Sequence, residues 1–206
     1  MSPTAFVQAV RELKARHGAT HAALAELVPL LRHFVGDRAN QDVPWPAASR
    51  GEYTRMLLND LGDDFQIVVV AWPRGKSSPV HDHAGTVGAV AALAGVTSEN
   101  KYCISDAVGD SVQLELAGTT RLCGRMVALL APEDGLELHD MAHASGEPAA
   151  TVHVYLTPVE SFNVYEPLPD GRHRRERRRL WMDVVRGASL WPAPRQAKPA
   201  LAPVLA

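Results

Sequence analysis

The sequence predicts a mainly β protein, a small antiparallel barrel or sandwich with N-terminal helices packed against its outside. From Glu52 onward, short apolar runs follow one another at even intervals, and turn signals such as Gly109-Asp110 and Gly146-Glu147-Pro148 separate them. No segment with helical periodicity lies between these runs, which favours an antiparallel arrangement over a parallel sheet. Residues 3–35, by contrast, carry apolar side chains at helical spacing.

The N-terminal segment predicts two helices followed by a loop. Ser2 precedes Pro3, a combination typical of a helix start. Gly18 ends the first predicted helix, and Thr20 can cap the second. The stretch over residues 36–50 contains Asn and Pro residues and predicts a connecting loop. We expect both helices to pack on a core that the strands build.

The predicted β region ends in a hairpin. The basic run from Arg172 to Arg179 lies between the last two predicted strands, and we expect a solvated hairpin end there, not a contact with nucleic acid. The predicted strands cover Tyr53–Leu58 and Phe65–Trp72, then about 87–94, 97–104, 111–116, 124–130, 135–140 and 149–156, and finally 161–167 and 180–182.

Length and charge predict a single domain without a polymeric or membrane partner. The 206 residues fit one domain over 1–186, with helices and a loop in 1–50 and the barrel and hairpin in 51–186. Residues 187–206 are rich in Pro and Ala and predict a flexible tail. The formal net charge is −2 and no apolar run approaches the ~20 residues of a membrane helix, so we expect no nucleic acid and no membrane.

The two cysteines and the N-terminus predict a compartment. Cys103 and Cys123 match no metal-binding motif, and Arg11, Lys14 and Arg16 interrupt the early apolar residues, so no signal peptide is predicted. We therefore expect a cytoplasmic protein with two reduced, buried thiols. We also expect a monomer.

His81 and His83 form a His-x-His pair. In a strand, residues i and i+2 point to the same face, so the two imidazoles would lie side by side as metal ligands. A pair of this kind is also compatible with two solvated or packed histidines. Its frame runs from Gly75 through the pair to Gly88 and Gly95 and resembles the first motif of the cupin superfamily, which typically has Glu where this chain has Gly88.

A third ligand is expected from another strand, because two side chains seldom hold a catalytic metal. His139, His143 and His153 are the candidates in the β region. His139 follows a turn that contains Pro and Gly and resembles the second cupin motif, so we favour it over His143, whose simplest interpretation is a turn residue. Three neutral imidazoles would leave positions open for substrate and O2, which suits iron(II), although ligand type alone also allows zinc, manganese and nickel.

Two further patterns flank these histidines. Thr151, His153 and Tyr155 alternate, so on a strand they face one way and can form a chain of hydrogen bonds that orients the Tyr155 hydroxyl. Tyr53 and Arg55 also share a face, and the Arg55 fork fits a carboxylate. The alternatives are a polar stripe on the surface of a sheet for the first pattern and a surface salt bridge for the second.

Taken together, four short motifs resemble the cysteine dioxygenases, the cupin-fold thiol dioxygenases. The motifs occur in consistent order over about residues 50–165, and the N-terminal helices and C-terminal hairpin are compatible with the family. The resemblance implies a cupin fold and an iron(II) enzyme that oxidises L-cysteine with O2 to cysteine sulfinate. The motifs are Tyr53-Thr-Arg55, Ser78-Pro-Val-His81-Asp-His83, Gly135-Leu-Glu-Leu-His139 and Thr151-Val-His153-Val-Tyr155.

The resemblance implies a metal site made by His81, His83 and His139, with Fe(II) as the cofactor. Animal members of the family have a cysteine at the position of Gly88, and that cysteine is cross-linked to a tyrosine. Gly88 has no sulfur, so Tyr155 is expected to be unmodified, as in bacterial relatives.

The resemblance also implies how substrate is held. Arg55, helped by Tyr53, would bind the substrate carboxylate. The hydroxyl of Tyr155, with Thr151 and His153 behind it, would donate a hydrogen bond to the reacting groups. Relatives that act on 3-mercaptopropionate look alike but carry Gln where this chain has Arg55.

Other functions remain open at this point. A dioxygenase for another small thiol such as 3-mercaptopropionate would share most of these motifs. An acireductone or flavonol dioxygenase would usually keep the carboxylate ligand that Gly88 cannot supply. A non-catalytic cupin binding module would have no need for Arg55 or for the row that ends in Tyr155.

Overall fold

The computed structural model describes residues 1–41, 52–135 and 137–185. In this part of the chain, three α-helices precede ten strands. The helices are α1 (Pro3–His17), α2 (Leu24–Gly36) and α3 (Arg38–Gln41). The strands are β1 (Thr54–Leu57), β2 (Gln66–Trp72), β3 (Val80–His81), β4 (Gly88–Val108), β5 (Ser111–Cys123), β6 (Val127–Leu130), β7 (Leu138–Tyr155), β8 (Ser161–Pro167), β9 (His173–Arg179) and β10 (Val184–Val185).

The N-terminal helices form as their caps predict. The Ser2 hydroxyl accepts a hydrogen bond from the Ala5 amide at 3.2 Å, and Gly18 ends α1 with a φ of +65°. Phe6 of α1 stacks on Phe34 of α2, with ring centroids 4.2 Å apart, and both side chains are fully buried. The predicted loop 36–50 is wrong in its first part, because α3 occupies Arg38–Gln41. Residues 42–50 lie outside the described residues.

The sheet closes on itself. β7 pairs with β2, β3 and β4, and the ring β7, β3, β8, β9, β5 and β4 returns to its first strand. The pairings around this ring are antiparallel. The predicted mainly β, antiparallel fold with helices packed outside is therefore confirmed.

Three strands, β4, β5 and β7, are longer than predicted, and β5 continues beyond the predicted end at 116 through Gly118 to Cys123. The pairs 87–94 with 97–104 and 135–140 with 149–156 are each one continuous strand, β4 and β7. Gly95 accounts for the first error: it has a φ of +66° inside β4, where the register with β7 shifts, so it marks a β-bulge and not a turn. The bulges let two long strands bend around the barrel while they stay paired.

The C-terminal hairpin also differs from the prediction. The basic run is itself strand β9 and pairs with β8 along its length, from Pro167 opposite His173 to Ser161 opposite Arg179. The predicted returning strand at 180–182 is wrong, because the turn after β8 reverses the chain at once. The arginines point into solvent or meet carboxylates, as Arg172 meets Asp106 at 2.8 Å.

The two faces of the sheet bury different sets of side chains. Alternate residues of β2 and β7 face the helices, among them Val69 and Val152. The intervening residues, among them Val70, Trp72 and Tyr155, face the barrel interior. The helices thus cover the outside of the sheet, and the interior is left for a pocket.

Other expectations meet the structure only in part. Cys103 and Cys123 are free, as predicted, but they are half-buried and not buried. Cys103 lies opposite Glu115 and Cys123 opposite Val96 in the pairing of β4 with β5. No helix of the described residues is long and apolar enough to cross a membrane. The predicted tail over 187–206 lies outside the described residues.

Candidate metal centre

Pairing between two strands brings the ligand histidines together. His81 in β3 lies directly opposite His139 in β7. His83 follows two residues after β3 has ended, so it is not part of a strand as the motif predicted. Its ring nevertheless lies beside that of His81, with the ring centroids 4.9 Å apart. A tight turn follows, in which Ala84 has a φ of +54° and the Asp82 carboxylate accepts the Ala84 amide at 3.2 Å.

The three imidazoles form a compact cluster. Their ring centroids are 4.9 Å (His81 and His83), 4.7 Å (His81 and His139) and 4.6 Å (His83 and His139) apart. One nitrogen of each lies within 4.8 Å of the other two, so the group could hold a metal ion. Both ring nitrogens of His83 and Nε2 of His139 are buried without a hydrogen-bond partner among the described residues, which fits donor atoms turned toward a shared ion.

The cluster is neutral at physiological pH. Burial lowers the pKa of His81 to about 4, with the Arg55 charge adding to the effect. Burial also lowers the pKa values of His83 and His139 well below the usual range, and the neighbouring imidazoles add to this. Neutral rings keep a lone pair, which is the form that binds a metal.

Hydrogen bonds hold the rings of His81 and His139 in place, and others hold Asp82, which lies between His81 and His83. Nδ1 of His81 lies 2.9 Å from the Pro79 carbonyl oxygen, and Nδ1 of His139 lies 2.7 Å from Oε1 of Glu99. Asp82 points away from the cluster and accepts hydrogen bonds from Asn163, at 2.9 Å from its amide and 2.7 Å from its side chain. Such partners behind metal-binding histidines set which nitrogen faces the metal.

The other candidate histidines lie elsewhere. His143 is half-buried, and its Nε2 lies 3.2 Å from the Glu147 carbonyl oxygen, outside the cluster. His153 belongs to the row of polar side chains on β7. The group of three that the structure brings together therefore contains His139, as the sequence favoured.

The row on β7 forms a continuous chain of hydrogen bonds. Trp72 Nε1 donates to the Thr151 hydroxyl at 2.8 Å, and that hydroxyl lies 2.8 Å from Nε2 of His153. Nδ1 of His153 lies 3.3 Å from the Tyr155 hydroxyl. Since Thr151 already accepts from Trp72, its own hydrogen can be donated to His153, which leaves the Nδ1 hydrogen of His153 for the Tyr155 oxygen. The hydrogen of the Tyr155 hydroxyl then remains available to the pocket.

Arg55 lies at the side of the same pocket. Its guanidinium carbon is 4.9 Å from the centre of the Tyr53 ring, and that ring packs edge-on against Trp72 at 5.0 Å. The guanidinium of Arg55 makes no ion pair with a carboxylate in residues 52–135 or 137–185. Its backbone amide instead binds Asp183 at 2.9 Å, which fastens β1 beside β10.

The pocket is small and largely apolar. It has a volume of about 30 Å³, roughly the space of two or three water molecules, which suits a small ligand. Burial raises the pKa of the Tyr155 hydroxyl, so this group stays protonated at neutral pH. The polar residues that line it are Tyr53, Arg55, His81, Asp82, His83, His153 and Tyr155. Apolar and aromatic side chains complete the lining: Val68, Val70, Trp72, Met141, Val159, Phe162 and Leu180.

Two residues that contact the site, Glu99 and Trp72, are not among the site residues that the sequence predicted. Glu99 binds His139 from 40 positions away, and Trp72 binds Thr151 from 79 positions away. Neither belongs to a motif, and only the pairing of β4 and β2 with β7 brings them into contact. A charged residue on the inward face of a predicted strand is the signal that could have indicated Glu99.

Gly88 lies beside Tyr155 in the pairing of β4 with β7. A Cβ atom at Gly88 would meet the Val154 carbonyl oxygen at 2.1 Å. A side chain at this position therefore requires the backbone to move. The close approach gives a packing reason for glycine here, in addition to the missing sulfur.

Comparison with known proteins gives concordant results. A family model described as cysteine dioxygenase type I matches residues 1–167. The chain is 26% identical over 130 residues to cysteine dioxygenase type 1 of Danio rerio, with 63% of each chain covered. It is 23% identical over 161 residues to cysteine dioxygenase type 1 of Rattus norvegicus, covering 69% of this chain and 78% of that protein. The match thus spans just under two thirds of the Danio rerio protein.

Among solved structures, the chain is similar to a cupin 2 conserved barrel domain protein from Rhodopseudomonas palustris. The two are 14% identical with a TM-score of 0.40, over 62% of this chain and 77% of that one.

Proposed function

The chain belongs to the cysteine dioxygenase type I family, and from this premise we propose that it is an iron(II)- and O2-dependent dioxygenase that oxidises L-cysteine to cysteine sulfinate. One observation carries the proposal beyond the family: two of the three clustered histidines, His81 and His83, line the same pocket as Arg55. The first group suits a metal, and the second suits a carboxylate. A small amino acid thiol offers a partner to both.

Iron is the metal that we propose for His81, His83 and His139. The buried nitrogens of His83 and His139 that have no partner among the described residues fit a bound ion, and three neutral ligands leave its charge uncompensated. Iron(II), when bound, supplies the redox chemistry that adds O2 to a thiol. In the overall reaction both oxygen atoms go to sulfur, so that a thiol and O2 give a sulfinic acid with no other reactant.

Arg55 is the residue that we propose for binding and orienting the substrate. A guanidinium presents a planar fork of donors that matches a carboxylate. The ring of Tyr53 lies beside it and limits its movement, because the cation packs on the aromatic face. With the carboxylate fixed, the thiol of cysteine is directed toward the histidines, which turns binding energy into orientation.

Tyr155 is the hydrogen-bond donor that we propose for the reacting groups. Its hydroxyl stays protonated, and the chain from Trp72 through Thr151 and His153 fixes its direction. A donor oriented before the reaction stabilises developing negative charge without reorganisation. The apolar lining, with Val68, Val70 and Met141 among its members, keeps water from competing for that donor.

The test is a metal analysis combined with O2 uptake on three thiols. Cysteine offers thiol, amine and carboxylate, 3-mercaptopropionate lacks the amine, and cysteamine lacks the carboxylate. We expect about one iron per chain and the order cysteine, then 3-mercaptopropionate, then cysteamine, with cysteine sulfinate as the product. A preference for cysteamine would contradict the role of Arg55. Iron without any thiol-dependent O2 uptake would favour another metal-cupin enzyme or a binding module.

A further inference from the structure

A buried carboxylate lies behind one of the three histidines. Oε1 of Glu99 is 2.7 Å from Nδ1 of His139, and both side chains are 1% exposed. The second carboxylate oxygen, Oε2, is buried without a hydrogen-bond partner among the described residues. A carboxylate at this depth is costly to bury, so its contact with His139 needs a physical reason.

The register of β4 against β7 determines this contact. Lys101 lies opposite His139 and Glu99 lies opposite Met141, so Glu99 reaches His139 diagonally across the two strands. The approach is from the side of Nδ1, while Nε2 faces the other histidines. Glu99 therefore contacts the ring on the side that no metal would occupy.

The position of one proton decides whether His139 can bind a metal. If Nδ1 carries the hydrogen and donates it to Glu99, then Nε2 keeps its lone pair. If Glu99 carries the hydrogen and donates it to Nδ1, then Nε2 must carry the ring hydrogen and cannot bind a metal. Nε2 is buried and has no acceptor within the described chain, so a hydrogen there would be a buried donor without a partner. Buried donors of that kind are rare in proteins.

We propose that Glu99 is the positioning residue of the metal centre: its carboxylate accepts the Nδ1 hydrogen of His139, and it thereby holds the ring in the one tautomer that presents Nε2 to a metal. The contact sets the rotation of the ring as well as the tautomer. In its ionised form the carboxylate also makes Nε2 more basic, which strengthens its bond to a metal. The effect on metal rests on the proposed function, whereas the tautomer is a property of the metal-free protein.

The first experiment needs no variant and no metal. Nitrogen NMR of the metal-free protein, with 15N-labelled histidine, distinguishes the two neutral tautomers. We expect His139 to carry its hydrogen on Nδ1 at neutral pH. A ring hydrogen on Nε2, or a mixture of the two forms, would overturn the proposal.

The second experiment measures iron(II) affinity by anaerobic titration. Glu99→Gln keeps the size of the side chain but removes the carboxylate, and we expect it to weaken iron(II) binding by about 10- to 100-fold. The matched control is Thr97→Val, because Thr97 is buried on the same face of β4, two residues earlier, and its hydroxyl has no partner in the described part of the chain. We expect Thr97→Val to bind iron(II) within about twofold of the parent.

The outcomes separate this proposal from the proposed function. If Glu99→Gln and Thr97→Val bind iron(II) equally well, Glu99 has no positioning role, whatever the enzyme oxidises. If Glu99→Gln alone weakens binding but no thiol is oxidised by the parent protein, the positioning role stands and the thiol dioxygenase assignment fails.

Discussion

At the scale of single residues, Arg55 is the group on which we propose that substrate choice depends. Replacing it with Gln removes the charge but keeps a polar side chain beside Tyr53. We expect the transition-state stabilisation that kcat/KM for cysteine reports to fall by about 2–4 kcal/mol, because a charge-assisted pair with the carboxylate is lost. The difference in kcat/KM between cysteine and cysteamine should narrow, because the site would no longer hold a cation that favours the carboxylate, which only cysteine has. Steady-state O2 uptake on both thiols measures this.

The control for Arg55 is Arg74→Gln. Arg74 is 62% exposed and pairs with Glu147 at 2.8 Å on the surface. We expect this variant to keep kcat/KM for both thiols within about twofold of the parent, because an exposed ion pair contributes about 0–1 kcal/mol. Equal behaviour of the two variants would mean that Arg55 does not meet the substrate.

The role of Tyr155 can be tested separately from metal binding by removing a single oxygen atom from its side chain. Tyr155→Phe keeps the packing of the ring but removes the donor at the end of the chain from Trp72. We expect iron to be retained and kcat to fall by about 100-fold, the typical effect of losing one preorganised donor. Tyr102→Phe is the matched control, since its hydroxyl binds Asp140 at 2.7 Å on a half-buried site away from the pocket. An unchanged rate in Tyr155→Phe would remove this hydroxyl from the mechanism.

The site residues that the sequence predicted are those with a local pattern. His81 and His83 are separated by one residue, and Thr151, His153 and Tyr155 alternate, so their proximity follows from short spacing. Glu99 and Trp72 contact the site only through strand pairing, and no local pattern contains that register. A residue that supports a site from a neighbouring strand can therefore be identified only once the pairing is known.

At the scale of elements, Gly88 shows how closely β4 and β7 approach. We expect Gly88→Ala to lower the free energy of unfolding by about 1–3 kcal/mol, because the new methyl group would meet the Val154 carbonyl oxygen at 2.1 Å. Gly118→Ala in the neighbouring β5 is the control, since a Cβ there meets nothing within 4 Å. Denaturant unfolding measures both variants. A Gly88→Ala protein as stable as Gly118→Ala would show that the backbone yields easily.

The two errors that divided β4 and β7 have one physical origin. Glycine with a positive φ serves both in tight turns and in β-bulges, and the sequence around Gly95 and Gly146 does not distinguish the two. In both cases the chain continued as one strand. The hairpin after β8 was misjudged differently, because seven basic or acidic residues in a row do not resemble a strand, although long arginine side chains are well suited to an exposed strand edge.

At the scale of the whole molecule, the side chains packed against the helices and those around the candidate site lie on opposite faces of the sheet. The helices and the outward residues of β2 and β7 form one hydrophobic cluster, and the inward residues form another around the pocket. Polar groups of the site can therefore lie on one side of a strand while its other side is packed by helices. The predicted class of fold followed from composition and periodicity, whereas the closure of the ring through β4 and β7 depended on contacts between distant strands.

The histidine cluster also links the metal to the stability of the fold. Its ligands come from β3, the loop after β3 and β7, which meet only in the folded chain. A ligand that binds only the folded state adds about 2.7 kcal/mol when its free concentration is a hundred times its Kd. We therefore expect iron(II), added anaerobically, to raise the melting temperature of the parent protein.

The same shift tests the ligand set, because each variant is compared with itself with and without iron(II). We expect His139→Ala to show no rise in melting temperature with the metal, even if it is less stable at the start, and His81→Ala to behave in the same way. His143→Ala should keep the rise, because His143 lies outside the cluster and contacts the Glu147 carbonyl oxygen. Loss of the shift in His143→Ala together with its retention in His139→Ala would show that the metal binds through a different group of histidines.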